Sequence, residues 1–322
     1  MKKTNLFFIT VVFFGLLLSC SNNEKTTNSE KSKKSETGVF TNSKNDNQME
    51  LLKLKTKEAP SIEVAALEDT KSTKRPIVFA HGATMGSWDF EEYFLSYFFG
   101  KGYNVYALNF RGHGESELNK DFNAVSMADF VQDYRSVVEL AKERTGKNPI
   151  LIGHSLGAIL TQAYLKEYET ETAVFISMAD PSIIFPSIIQ FYVDRFPEGK
   201  KRVDAGDMGW FSGDANFIRV YMFGEETNPK MDGWAKRMVD QGVPETAMSD
   251  ITGSHTIGDA KGNPKVFIVI GENDPTTPKQ SIENAMKTYN ADNIIIEDIY
   301  HGIPTSKNWQ KAADGIINWL EK

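Results

Sequence analysis

The pentapeptide Gly153-His154-Ser155-Leu156-Gly157 constrains this chain more than any other segment, because of what flanks it. The apolar run Pro149-Ile150-Leu151-Ile152 leads into it, and a helical pattern over Leu156–Tyr168 leads away. A strand that becomes a helix within one residue forces that residue into a strained backbone conformation, and small neighbours at Gly153 and Gly157 let the chain close around it. The Ser155 hydroxyl then projects above the end of a sheet.

Other segments supply that sheet. Short β-branched or apolar runs at Ile77–Ala80, Tyr103–Phe110, Pro149–Gly153, Ala173–Met178, Lys265–Ile270 and Asn293–Ile299 have the composition of strands buried on both faces. Helical patterns lie between them. In Ser126–Arg144, Ser126 and Asp129 stand at the N-cap and third helical positions, and Phe130, Tyr134, Val137, Val138 and Ala141 mark one apolar face. Gln280–Tyr289 and Asn308–Leu320 read as further helices. Alternation of this kind predicts right-handed crossovers and a doubly wound, mostly parallel sheet, with Leu51–Lys55 and Ser61–Leu67 as an antiparallel edge. Residues from about Pro181 to Asp259 carry Trp210, Phe211, Phe217, Tyr221, Phe223 and Trp234 among glycines and charges, with no parallel-strand signal. They read as a helical lid inserted before the strand Lys265–Ile270. The expected division is 51–180 for the first part of the core, 181–262 for the lid and 263–322 for the second part.

The N-terminus reads as an address. Lys2 and Lys3 precede the apolar run Leu6–Leu18, which is shorter than the roughly 20 residues of a spanning helix and has the order of a secretory signal. It ends in Leu17-Leu18-Ser19-Cys20, which resembles a bacterial lipoprotein signal. That resemblance implies a signal peptide over 1–19, cleavage before Cys20 and lipid on its thiol, anchoring the chain in a membrane of the cell envelope; Ser21, in place of aspartate, points to the outer membrane or surface. Of the 30 residues Ser21–Glu50, 26 are Ser, Thr, Asn, Gln, Lys, Glu or Asp, so residues 20–50 are expected to form a lipidated, disordered tether. Cys20 is the sole cysteine, which excludes an intramolecular disulfide framework and a thiolate metal cluster. A net charge of −7 makes nucleic acid a poor partner.

A serine hydroxyl needs a base, and the chain has five histidines. His81, directly after Ile77–Ala80, and His154, inside the pentapeptide, are placed to shape loops. His113 lies in the glycine-rich turn Arg111-Gly112-His113-Gly114-Glu115-Ser116, and His255 falls near the end of the lid, at the surface or a hinge. His301 follows the last strand, in a loop at the sheet's end, and is the natural base. Asp274 ends the run Gly271-Glu272-Asn273-Asp274 after Lys265–Ile270. One helix and one strand separate it from His301, returning the chain to the same end of the sheet, where a carboxylate can fix the tautomer of the imidazole. Asp180, after Ala173–Met178, is a second candidate acid.

The order Ser155, Asp274, His301, together with His81-Gly82, the turn Arg111–Ser116 and Gly271-x-x-Asp274, resembles the α/β-hydrolase fold enzymes over about residues 60 to 322. That resemblance implies an oxyanion hole from the backbone N–H groups of Leu156 and Ala83. Ala83-Thr84-Met85 departs from the Gly-Gly-Pro-Gly of proline iminopeptidases, and a serine nucleophile departs from haloalkane dehalogenases and epoxide hydrolases. Asn109 replaces the acidic residue often found before the Arg-Gly turn, a change that bears on loop packing. The expected activity is hydrolysis of a small-molecule carboxylic ester with an apolar or aromatic group, through an acyl-enzyme; this chemistry requires no metal or organic cofactor. The same residues would serve a thioesterase, amidase, lactonase, acyltransferase or cofactor-free peroxidase, and a non-catalytic surface binding protein is the alternative of another class.

Overall fold

The computed structural model describes residues 51–207, 209–253 and 257–322. The signal peptide, Cys20, the tether to residue 50 and His255 lie outside the described residues. Eight strands form one sheet: β1 (Leu52–Lys55), β2 (Glu63–Leu67), β3 (Ile77–Ala80), β4 (Val105–Leu108), β5 (Ile150–His154), β6 (Thr172–Ile176), β7 (Lys265–Gly271) and β8 (Asp292–Ile296). Their spatial order is β1-β2-β4-β3-β5-β6-β7-β8. β1 and β2 pair antiparallel, as do β2 and β4, and the remaining pairs are parallel. Every residue of β3, β5 and β6 is buried, whereas β1 alternates and β8 is largely open, as their edge positions require.

Helices cover both faces. On one lie α1 (Trp88–Glu91), α2 (Phe94–Gly100) and α12 (Trp309–Leu320). On the other lie α3 (Met127–Thr145), α4 (Leu156–Glu167) and α11 (Lys279–Tyr289). The expected capping of α3 is present: Ser126 Oγ accepts from Asp129 N–H, and the Asp129 carboxylate accepts from Ser126 N–H. Between β6 and β7 run α5 (Ile184–Arg195), α6 (Gly199–Asp204), α7 (Trp210–Gly213), α8 (Ala215–Phe223), α9 (Pro229–Gln241) and α10 (Glu245–Gly253). Their apolar sides join the core on the α4 face, and Trp210 stacks on Tyr192 with ring centroids 3.9 Å apart.

Two features differ from the sequence expectation. Residues 88–100, to which the sequence assigned no element, form α1 and α2, whose Phe90, Phe94 and Phe98 pack around Phe79 of β3. The non-helical backbone of Tyr93, at φ −137°, divides what would otherwise be one readable period. The strands expected over Tyr103–Phe110 and Asn293–Ile299 are shorter, because Phe110 N–H turns aside to His81 and Asp298 adopts a left-handed φ of 53°.

The chain crosses from β3 to β4 on one side, then returns over β3 to β5 on the other. Connections therefore diverge at the carboxyl ends of β3 and β5, opening the crevice in which doubly wound sheets place ligands.

Candidate active site

Ser155 stands at that crevice, between β5 and α4, with φ 53° and ψ −117°. No L-residue favours this conformation, and it persists because its surroundings fix it. A Cβ on Gly153 would lie 2.2 Å from the Gly157 carbonyl oxygen, and one on Gly157 would lie 2.0 Å from the Ala80 carbonyl oxygen. Both glycines are thus required by the closeness of β3, β5 and α4, and that closeness drives the serine outward.

The Ser155 hydroxyl donates to His301 Nε2 at 2.8 Å. His301 Nδ1–H faces both carboxylate oxygens of Asp274, at 3.0 and 3.1 Å. His301 and Asp274 are buried, while Ser155 is partly open. Asp180, the other candidate acid, is engaged elsewhere: Oδ1 accepts from the Ser182 backbone and hydroxyl, and Oδ2 accepts from Asn284 at 2.7 Å. The structure therefore brings Asp274, and not Asp180, against the imidazole.

Sequence reading missed Thr276. Its backbone N–H donates to Asp274 Oδ1 at 2.8 Å, and its hydroxyl lies 2.7 Å from the same oxygen, 2.9 Å from the Ser177 carbonyl and 3.1 Å from His301 Nδ1. The turn of Asp274 into Thr276 thereby holds the carboxylate by its own backbone. The only sequence signal was a hydroxyl residue two places after the acid, a common pattern for such a turn.

Leu156 follows the serine in the chain, and Ala83 follows Gly82 in the loop after β3. Neither N–H donates to another group among the described residues. Thr84, at φ 62°, turns the loop so that Met85 N–H returns to the Gly82 carbonyl, and a Cβ on Gly82 would lie 3.1 Å from Ser155 Cβ.

Two other described histidines build loops. His81 Nδ1–H donates to the Gly82 carbonyl at 2.8 Å and Nε2 accepts from Phe110 N–H at 3.2 Å, which uses both ring nitrogens of the neutral form. Burial holds its pKa well below the usual range. Burial likewise lowers His113, to about 4. The turn Arg111–Ser116 is tied to α3 by the buried guanidinium of Arg111, which donates to both carboxylate oxygens of Asp133 and, at 2.8 Å, to Asp129. Asn109 packs loops: its amide donates to Glu63 Oε2 and accepts from Ser87 N–H, both at 2.7 Å. A carboxylate from β2 thus stands beside the residue that lacks one.

The helical segment, expected as a lid over the strand ends, also reaches the site, through a residue the sequence showed only as one aromatic among several. Tyr221 of α8 lies with its ring centroid 4.6 Å from that of His301, and burial followed by the charge of Asp274 holds its phenol well above the usual range. The Met222 carbonyl accepts from Gly302 N–H at 2.8 Å.

Comparison with known proteins bears on the fold. A family model described as Alpha/beta hydrolase family matches residues 77–305. A monoacylglycerol lipase of Mycolicibacterium smegmatis is 31% identical over 108 residues, covering 33% of this chain and 38% of that relative, so the chain spans about two-fifths of its length. Among solved structures, an esterase from Exiguobacterium antarcticum is similar with a TM-score of 0.61 at 16% identity, covering 84% of this chain and all of that one. A bromoperoxidase from Bacillus anthracis has a TM-score of 0.61 at 18% identity, with 84% and 100% covered. At such identities the structural likeness speaks for the fold alone.

Proposed function

The chain belongs to the alpha/beta hydrolase family, and on that premise we propose that it is a serine hydrolase that cleaves a carboxylic ester through an acyl-enzyme. The observation that carries the reading is the unbroken hydrogen-bonded line from Ser155 Oγ through His301 to Asp274, on a serine held in a strained conformation. Ser155 attacks the ester carbonyl as His301 Nε2 takes its proton. Asp274 fixes the tautomer and stabilises the imidazolium, which then protonates the leaving alcohol. Leu156 and Ala83 N–H hold the oxyanion, each worth about 2.7–4 kcal/mol of barrier by analogy with other hydrolases. Water repeats the sequence on the acyl-enzyme and releases the acid.

In this reading residues 181–262 are a lid, and its aromatic side chains near His301 favour an apolar acyl or aromatic group. Cys20 is the lipidation site, and the tether presents the hydrolase at an envelope membrane. The likeness of one stretch to a monoacylglycerol lipase fits a lipid-derived ester.

A panel of p-nitrophenyl esters of increasing acyl length tests this, run on the wild type beside Ser155→Ala, His301→Ala, Asp274→Asn and Asp180→Asn. The first three variants lose activity by orders of magnitude and the fourth keeps it. Loss at Asp180 in place of Asp274 would move the acid, and turnover of short charged esters alone would contradict the apolar pocket. A wild type that neither hydrolyses an ester nor takes a fluorophosphonate label would sink the reading.

A further inference from the structure

Behind the serine lies a second carboxylate–imidazole pair that the proposed reaction does not use. Asp89, on α1, and His154, the last residue of β5, are fully enclosed, with His154 Nδ1 2.6 Å from Asp89 Oδ2. The other ring nitrogen, Nε2, lies 2.9 Å from the backbone carbonyl oxygen of His301. That carbonyl also accepts the Ser177 hydroxyl at 2.8 Å, and Ser177 itself is held at φ 56°.

Proton counting restricts what this arrangement can be. A carbonyl oxygen only accepts, so Nε2 must carry a hydrogen. A separation of 2.6 Å between Nδ1 and a carboxylate oxygen needs a second proton between them, since two lone pairs at that distance repel. Asp89 and His154 therefore share one proton more than a neutral imidazole beside an ionised acid. Burial alone would lower the His154 pKa, but the charge and hydrogen bond of Asp89 reverse this and raise it. The other titratable groups facing the ring are Asp274, His301 and His81. Asp89 Oδ1 has no partner among the described residues, so the imidazole is the group that compensates this buried carboxylate.

We propose that Asp89 and His154 are a protonated positioning pair that fixes the His301 imidazole by clamping its backbone carbonyl. The proposal rests on the serine-hydrolase reading for its kinetic consequence, but not for the state of the pair. His301 lies in the loop after β8, and two donors at the strand ends, His154 at the end of β5 and Ser177 just after β6, stop its carbonyl from turning. Turning the carbonyl would swing Nε2 away from Ser155. A displacement of about 1 Å at such a group costs about 100-fold in rate.

Two substitutions separate clamping from mere packing. In Asp89→Asn the amide N–H donates to a neutral Nδ1, so Nε2–H stays on the carbonyl and the clamp survives without the shared proton. In Asp89→Ala the ring loses its orienting partner. The expected kinetics are kcat within a few-fold of wild type for the asparagine and about 100-fold lower for the alanine, with KM unchanged in both. The second readout needs no turnover. In His301→Ala, where Asp274 has no imidazole partner, a strongly downfield proton persists in the ¹H NMR spectrum, and it vanishes in His301→Ala/Asp89→Asn. A folded His301→Ala chain without that resonance, or an asparagine variant as impaired as the alanine, overturns the proposal; the asparagine and the spectra decide it if the alanine variant fails to fold. A wild type that turns over no ester removes the serine-hydrolase reading and the positioning role with it, whereas a failure confined to the variants strikes only the pair.

Discussion

Replacing Thr276 by valine removes one hydroxyl and keeps the shape of the side chain, so its effect isolates what that hydroxyl does for Asp274. The hydroxyl has one proton and two acceptors in reach, the Asp274 carboxylate at 2.7 Å and the Ser177 carbonyl at 2.9 Å. The charged and nearer acceptor wins. Asp274 then holds three donors: the Thr276 hydroxyl, the Thr276 N–H at 2.8 Å and His301 Nδ1–H. A hydrogen bond to a charged group contributes about 1.5–3 kcal/mol. Thr276 is fully buried, so no water reaches the vacated position at low cost. Differential scanning fluorimetry of Thr276→Val is expected to show a Tm about 3–12 °C lower than wild type, for a domain of this size. On the proposed mechanism, ester kinetics should fall as well, because the imidazolium of the transition state leans harder on Asp274 than the neutral ring does; 1.4 kcal/mol of that difference is about tenfold in kcat. Thr276→Ser keeps the hydroxyl and should restore most of both. A valine variant that melts with the wild type and turns over ester equally well would refute the idea that the hydroxyl holds the carboxylate.

Three further outcomes follow from the geometry. Ser155→Gly should melt above Ser155→Ala, since both lose the hydroxyl but glycine alone tolerates φ 53°, ψ −117° without strain of about 1–3 kcal/mol. Gly157→Ala drives a methyl to 2.0 Å from the Ala80 carbonyl oxygen and should cost about 4 kcal/mol or more, read as loss of soluble protein, whereas Gly146→Ala, with a φ of 69° but open space around it, should cost about 1–2 kcal/mol in urea unfolding. Because the folded His154 pKa lies above its usual 6.5, its stabilising contribution is fully present below pH 6.5 and is lost as pH rises through the raised value. Melting temperatures from pH 6.5 upward should therefore fall more steeply in the wild type than in Asp89→Asn.

The parts of the site carried by local pattern were legible in the sequence. Ser155 was marked by the strand, the helix and two glycines within a few residues. Asp274 and His301 were marked by their places after apolar strands. What the sequence did not carry were partnerships between distant, ordinary residues. Asp89 and His154 stand 65 positions apart, and nothing in either neighbourhood names the other. Asp129 was legible as a capping residue of α3, but not as a partner of Arg111, because that second use depends on how the turn after β4 lands on the helix. Tyr221 was visible only as one aromatic among many in a segment without strand signals. Glu63 fell in a segment read as part of an antiparallel edge, where an acidic residue is unremarked until the fold, with β2 inside β1, turns it to Asn109.

The docking of α8 on the His301 loop sets a limit on modularity. Helical insertions above a sheet are natural units for grafting, since they enter and leave at neighbouring strand ends and their own residues pack on one another. Here the graft line does not coincide with the insertion's ends. The Met222 carbonyl is bonded to Gly302, a Cβ on Gly224 would lie 2.1 Å from the Tyr300 ring, and Tyr221 covers the imidazole. Exchanging residues 181–262 for the insertion of a relative would therefore alter the loop that carries His301 as well as the insertion itself. A chimera that keeps residues 221–224 with residues 300–302 preserves the placing of His301; on the proposed reading, one that divides them is expected to change rate and specificity together.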